Sequence, residues 1–260
     1  MTMPLLDGIA WLLLSLVPLL FIQPRLHHEM QTLFLLITRR VDITIIVFSV
    51  LFLPGILLHE ASHYLMARLL GVYTGRFSIL PSDLRDGRLQ LGFVEIGKAG
   101  LLRESLIGAA PLLVGGTFVA YAGLIQLEFD TLWVIIAQGD VAALVDALII
   151  LPHQPDFWLW LYLTIIVSST MMPSSTDRRA WGSLGLIMGV LLVIAVWAGA
   201  GGWLLENLAP GLNRTFRAMA VVFGVAVVVH VLLLFPVVLL KRLVSSITGV
   251  EVVQKSAPKT

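Results

Sequence analysis

The sequence predicts an all-α polytopic membrane protein with about six transmembrane helices and a small β-hairpin or sheet after the second. Three observations carry this. Hydrophobic residues make up 58% of the chain and charged residues only 13%, with a mean hydropathy of +0.95, whereas soluble domains keep about a quarter of their residues charged. Apolar stretches near the length a bilayer needs, about 20 residues, recur at roughly 5–23, 42–70, 104–126, 157–173, 183–206 and 217–240. Between the second and third, Arg76–Leu80 and Arg88–Ile96 read as strands, and Asp86-Gly87 between them is a hairpin signal.

The first stretch, Leu5–Gln23, reads as a retained membrane helix despite Pro18, because no basic n-region or small-residue cleavage site accompanies it. The segment 131–151 is apolar but interrupted by Gln138, Gly139, Asp140 and Asp146, which predicts an interfacial or re-entrant helix. The tail 251–260 is polar and expected to fray. The chain thus divides into an N-terminal helix and connector (1–41), a membrane core (42–182), two C-terminal helices (183–250) and the tail (251–260). Basic residues concentrate in 71–103, in 174–182 and at the C-terminus, among them Arg76, Arg88, Lys98, Arg178, Arg179, Lys241 and Lys255. Basic loops mark the cytoplasmic side, so both termini are expected there, with Arg39 and Arg40 as contrary evidence. A net charge of +1 gives no field for nucleic acid, and the absence of cysteine excludes disulfides, thiolate ligands and a thiol nucleophile.

The second helix carries Pro54-Gly55-Ile56-Leu57-Leu58-His59-Glu60-Ala61-Ser62-His63. Histidines four apart share one helical face and can grip one metal ion, for which zinc fits best. The adjacent Glu60 is placed to take a proton from the attacking water and pass it to the leaving amine. Three ionisable groups within five positions of a membrane helix are costly, about 2.5–3.5 kcal/mol for a central charge on insertion scales, and such residues are functional by default. The competing reading is a chance match with packed histidines.

A His-Glu-x-x-His segment in a membrane helix, a small sheet after it and a later Pro–Asp stretch together resemble the site-2 protease family over roughly residues 42–182. That family comprises intramembrane zinc metalloproteases that cut transmembrane protein substrates within the bilayer. The resemblance implies a Zn2+ cofactor, Glu60 as the catalytic base, and His59, His63 and a later aspartate as ligands. The family's aspartate lies in an Asn-x-x-Pro-x-x-x-Leu-Asp-Gly motif. Here the corresponding run is Ser169-Thr170-Met171-Met172-Pro173-Ser174-Ser175-Thr176-Asp177-Arg178. Asp177 matches by type and place. The Pro–Asp spacing is one residue shorter, Thr176 replaces Leu, Arg178 replaces Gly, and Ser169 or Thr170 stands where the family's substrate-positioning asparagine would be. Gly108–Gly116 resembles the family's small-residue Gly-Pro segment, with ordinary close packing as the alternative.

Several readings stay open on sequence alone. Asp177 is either a ligand or an interfacial partner for Arg178 or Arg179, with Glu104 and Glu95 as fallback ligands. The strand containing Leu91, Gly92, Phe93 and Val94 either captures an extended substrate by backbone pairing or only plugs the membrane face. His230, in an apolar helix, is expected to hydrogen-bond across helices, and His27, His28 and His153 to sit in loops away from the site. The expected function is intramembrane proteolysis in a prokaryotic cell membrane, with a transmembrane protein substrate and the lipid bilayer as partners. The alternatives are a non-catalytic relative that binds membrane proteins, prompted by the altered aspartate motif, and a small transporter, prompted by broken apolar helices.

Overall fold

A computed structural model describes residues 7–79, 82–83, 89–90, 92–174 and 176–250. The Asp86-Gly87 turn, Arg88, Leu91 and the tail 251–260 lie outside the described residues. The chain is mostly helical: α1 (Asp7–Thr38), α2 (Val41–Leu69), α3 (Leu101–Tyr121, extended by a π-helical turn Ala122–Gln126), α4 (Phe129–Gln138), α5 (Val141–Ile150), α6 (Phe157–Thr170), α7 (Trp181–Ala195), α8 (Gly201–Trp203) and α9 (Ala209–Thr248). Four strands, β1 (Thr74–Ser78), β2 (Ser82–Asp83), β3 (Leu89–Gln90) and β4 (Phe93–Ile96), follow α2 as two antiparallel pairs, β1 with β4 and β2 with β3. Phe77 pairs with Val94 and Ser78 with Phe93. The expected small sheet is therefore present.

Among the described residues, four helical runs are long and apolar enough to cross a membrane: Asp7–Thr38, Val41–Leu69, Leu101–Gln126 and Trp181–Thr248. The count differs from the six expected for two reasons. Phe157–Thr170 has 14 residues, a rise of about 21 Å, against a hydrocarbon core of about 30 Å. The two C-terminal stretches join into one run of 68 residues, interrupted at Gly199, whose φ of 87° breaks the helix. The segment 131–151 falls on α4, α5 and the turn after them.

The N-terminal helix also departs from expectation. It does not stop near Gln23 but continues through Pro18 and Pro24 to Thr38, so His27 and His28 are helical rather than in a loop. The polar run 23–32 looks like a connector in sequence, yet several of its members face other helices. His27 packs its ring edge-on against Phe48 and Phe52 of α2. Glu29 is buried and pairs with Lys241 of α9.

Helix α1 runs antiparallel to α2 and parallel to α9. Asp7 is ion-paired with Arg217, and Gly8 N donates to Asn213 Oδ1 at 2.7 Å, near the start of both helices. Glu29 and Lys241 then meet further along the same direction. The N-terminal end of α1 and the C-terminal end of α9 consequently lie at opposite ends of this pair.

Helices α2, α3 and α6 form the middle of the bundle. α6 runs parallel to α2, with the Tyr162 hydroxyl donating to Leu51 O at 2.7 Å, one residue beyond the carbonyl that Pro54 leaves without its helical donor. One apolar cluster joins Leu26 and Met30, Phe52 and Ile56, Ile166, and Val229 of four helices; a second joins Leu19, Val119, Val167, Met171 and Phe223. In lipid such helices are held by close packing and polar contacts rather than by expulsion of water. Gly55 shows how close: a Cβ there would lie 2.5 Å from Thr170 Oγ1 and 2.8 Å from Ile166 Cγ2. Absence of a side chain at position 55 lets the last turn of α6 lie directly on α2, one turn before His59.

Candidate metal centre

His59 and His63 project from the same face of α2, one helical turn apart, as their spacing dictates. Their Nε2 atoms face each other at 3.2 Å. Each ring is fixed by its other nitrogen. His59 Nδ1 lies 2.6 Å from the carbonyl oxygen of Thr170, at the end of α6, and His63 Nδ1 lies 2.8 Å from that of Ile107, in α3. A carbonyl only accepts, so both Nδ1 atoms carry the proton and both Nε2 atoms of the neutral rings present lone pairs.

Asp177 closes the group from the loop between α6 and α7. Its Oδ1 is 3.3 Å from His63 Nε2 and its Oδ2 is 3.8 Å from His59 Nε2. The loop is locked reciprocally: Ser174 N donates to Asp177 Oδ2 at 2.7 Å and Asp177 N donates to Ser174 Oγ at 3.2 Å. This is the hydrogen-bond exchange of a capping box. Trp181 Nε1 donates to Ser105 O at 3.2 Å and ties the far end of the loop to α3. Burial pushes the Asp177 carboxyl up, but Ser174 and a His63 ring that, with no cation in the site, takes a second proton on Nε2 and donates it here outweigh burial and hold the group down at about 2. A carboxylate at that value is ionised at any physiological pH.

The residues fit a metal ion. His59, His63 and Asp177 each offer a ligand atom, all within 4.8 Å of one another. Two nitrogen lone pairs and an anionic oxygen converge on one point, and without a cation or proton between them they repel. Carbonyl-anchored Nδ1–H groups behind both rings are the usual backing of metal-binding histidines. Two nitrogens and one carboxylate oxygen form a zinc-type ligand set.

Asp177 is not a partner of Arg178 or Arg179. Both arginines are exposed, and Arg178 Nε donates instead to Ser174 O at 3.3 Å. Glu95 accepts from Arg76 N at 3.1 Å, and neither it nor Glu104 belongs to the cluster. Gly92 approaches the site: a Cβ there would lie 3.0 Å from Glu60 Cγ and 2.9 Å from Ile56 Cγ2. The start of β4, with Phe93 and Val94 next along it, therefore runs beside the candidate base. Ser169 and Thr170 are placed differently. Ser169 is buried with its hydroxyl 2.8 Å from His230 Nε2, and the Thr170 carbonyl is the anchor of His59. His230 thus bonds across helices as expected.

Sequence reasoning missed both carbonyl anchors, at Ile107 and Thr170, because any residue type can supply a carbonyl. It also missed the Ser174–Asp177 lock, although Ser-x-x-Asp is a readable signature. No protein-family model, no curated protein and no solved structure matches this chain.

Proposed function

We propose that the protein is an intramembrane zinc metalloprotease of the site-2 protease type, a hydrolase that cuts peptide bonds in or near the transmembrane segments of membrane proteins. One observation carries the reading: the Nε2 atoms of His59 and His63, on an apolar helix, and the carboxylate of Asp177, in the loop after α6, converge on one point, with Glu60 on the same helix turn as the histidines. An ion-sized, polar, ligand-rich point inside an apolar bundle is expensive and needs a function to retain it.

His59, His63 and Asp177 would hold the ion. When bound, zinc supplies Lewis acidity at this point. Glu60, not part of the ligand group, takes the proton of the attacking water and returns it to the leaving amine. The start of β4 beside Glu60 supports a role for Gly92, Phe93 and Val94 in holding the substrate extended by backbone pairing. The basic residues Arg76, Lys98, Arg103, Arg178 and Arg179, in the segments after α2 and α6, flank this end of the bundle and favour its facing the cytoplasm.

The test is metal content of the purified protein, followed by cleavage of a model transmembrane substrate. Zinc at one per chain, cleavage by the unaltered protein, and zinc retained with cleavage lost in Glu60→Gln is the expected set. Full cleavage by Glu60→Gln would remove this residue from the mechanism. A second reading, a metal-binding but non-catalytic protein that holds membrane partners, is favoured by Ser169 being occupied with His230. Bound zinc without cleavage of any transmembrane substrate would select it.

A further inference from the structure

The ring of His59 is aimed by one carbonyl, that of Thr170, so the aim of the ring is only as good as the position of the last turn of α6. That turn is also held by two polar contacts, one half-buried and one buried. Gln23 Nε2, from α1, donates to Ser169 O at 2.5 Å. Ser169 Oγ lies 2.8 Å from Nε2 of His230, from α9, whose Nδ1 lies 2.7 Å from Ala226 O. Ala226 O can only accept, so His230 Nδ1 holds the proton and His230 Nε2 accepts from the Ser169 hydroxyl. His230 is fully buried and Ser169 nearly so. Residues 169 and 170 are adjacent, which makes a continuous chain of polar contacts from α9 and α1 through α6 to a candidate ligand on α2.

We infer that Gln23 and His230 are positioning residues for the candidate metal centre, fixing the last turn of α6 so that the Thr170 carbonyl orients His59. The inference rests on the metal-centre reading. Neither residue touches the ligand point. Both lie outside the segment 42–182 that carries the motif, on the two long helices that would otherwise serve only as packing. An apolar side chain at either place would fill the space; a polar contact is needed only if the turn must be held in one position. In an apolar bundle a buried histidine or a half-buried glutamine without its partner is costly, which favours the one position of the turn that keeps both contacts.

The experiment is a zinc competition titration on the full-length protein in detergent, paired with the visible spectrum of the cobalt-substituted protein. The variants are Gln23→Met, His230→Leu, Ser169→Ala and His230→Gln. Ser169→Ala removes only one hydroxyl and keeps the helix, so it remains informative if a larger change fails to fold. Outer partners of metal-binding histidines typically cost about 10–100-fold in metal affinity. Gln23, Ser169 and His230 act one contact further out, so a loss near the lower limit, about tenfold, is expected for the first three, with a shifted cobalt spectrum. Gln at 230 can accept from Ser169 and should restore both. Zinc affinity within about twofold of the unaltered protein and an unchanged cobalt spectrum in Ser169→Ala and either apolar variant would overturn the inference while leaving the metal centre in place. Failure of the unaltered protein to bind zinc would instead overturn the metal-centre reading itself.

Discussion

The backbone carbonyl of Asp177 lies directly over the Cα of Gly108, so close that a Cβ at 108 would collide with it. This contact sets how near the Asp177 loop comes to α3, and α3 also supplies the carbonyl that anchors His63. A single missing side chain therefore joins the loop bearing one candidate ligand to the helix orienting another.

Gly108→Ala should push that loop away without touching a ligand. Alanine is about 1 kcal/mol more favourable than glycine inside a helix, so lost helix stability would not explain a defect. We expect unchanged helical content by circular dichroism and zinc affinity reduced at least tenfold; a displacement of about 1 Å is enough to cost about 100-fold in activity. Normal zinc binding by Gly108→Ala would show that the loop adapts.

Asp177→Ala should lose most of the metal and all cleavage, while Arg178→Ala and Glu104→Ala should keep both. The geometry behind this is the 3.3 Å approach of Asp177 Oδ1 to His63 Nε2 and the exposed, outward Arg178. Metal analysis of the three purified variants decides it. Zinc retained in Asp177→Ala and lost in Glu104→Ala would move the third ligand to α3.

Val94→Pro should weaken cleavage and leave zinc in place. Val94 pairs with Phe77 in the β1–β4 ladder, and proline removes a donor from a strand. If the strand beside Glu60 presents the substrate, turnover of a transmembrane peptide should fall while metal content stays at one per chain. Unchanged kinetics would reduce the sheet to a cover over the site.

Reporters fused after Lys98 and after Arg179 should read the same side, because both segments lie at the metal end of the bundle. Fusions near Pro152 and after Val250 should read the other side. The last of these follows from the parallel pairing of α1 with α9, whereas loop charge alone puts the C-terminus with Lys98. A fusion after Val250 on the Lys98 side would show that α9 does not cross as this packing requires.

The candidate metal face was legible because its information is local. Two histidines and a glutamate within five residues state their geometry through the helical period alone. Asp177 lies 114 residues beyond His63, and only the order of parts shared with a known family pointed to it. The strands could be read from their residues and the intervening turn signal. The long α1 could not: its polar run Gln23–Thr32 looked like a connector, since a sequence does not show that Gln23 meets Ser169 or that Glu29 meets Lys241. Residues that serve partners far along the chain resemble loop residues when seen by themselves, and the same ambiguity hid the work of Ser169.

The parallel pairing of the first and last long helices also bears on how the protein is made. Asp7 waits for Arg217, 210 residues later, and Glu29 waits for Lys241. At translation rates of about 5–20 residues per second, the first helix spends about 10–40 s without its counter-charges. During that interval its carboxylates must stay near the headgroups, be shielded by the insertion machinery or pair with something temporary. The Gln23–Ser169 bond can form only once α6 has emerged, and the His230 contact only once α9 has. On this ordering a ribosome-bound chain that already contains His59, His63 and Asp177 still lacks the support of α9, so metal loading at the candidate site would become tight only after α9 is in place.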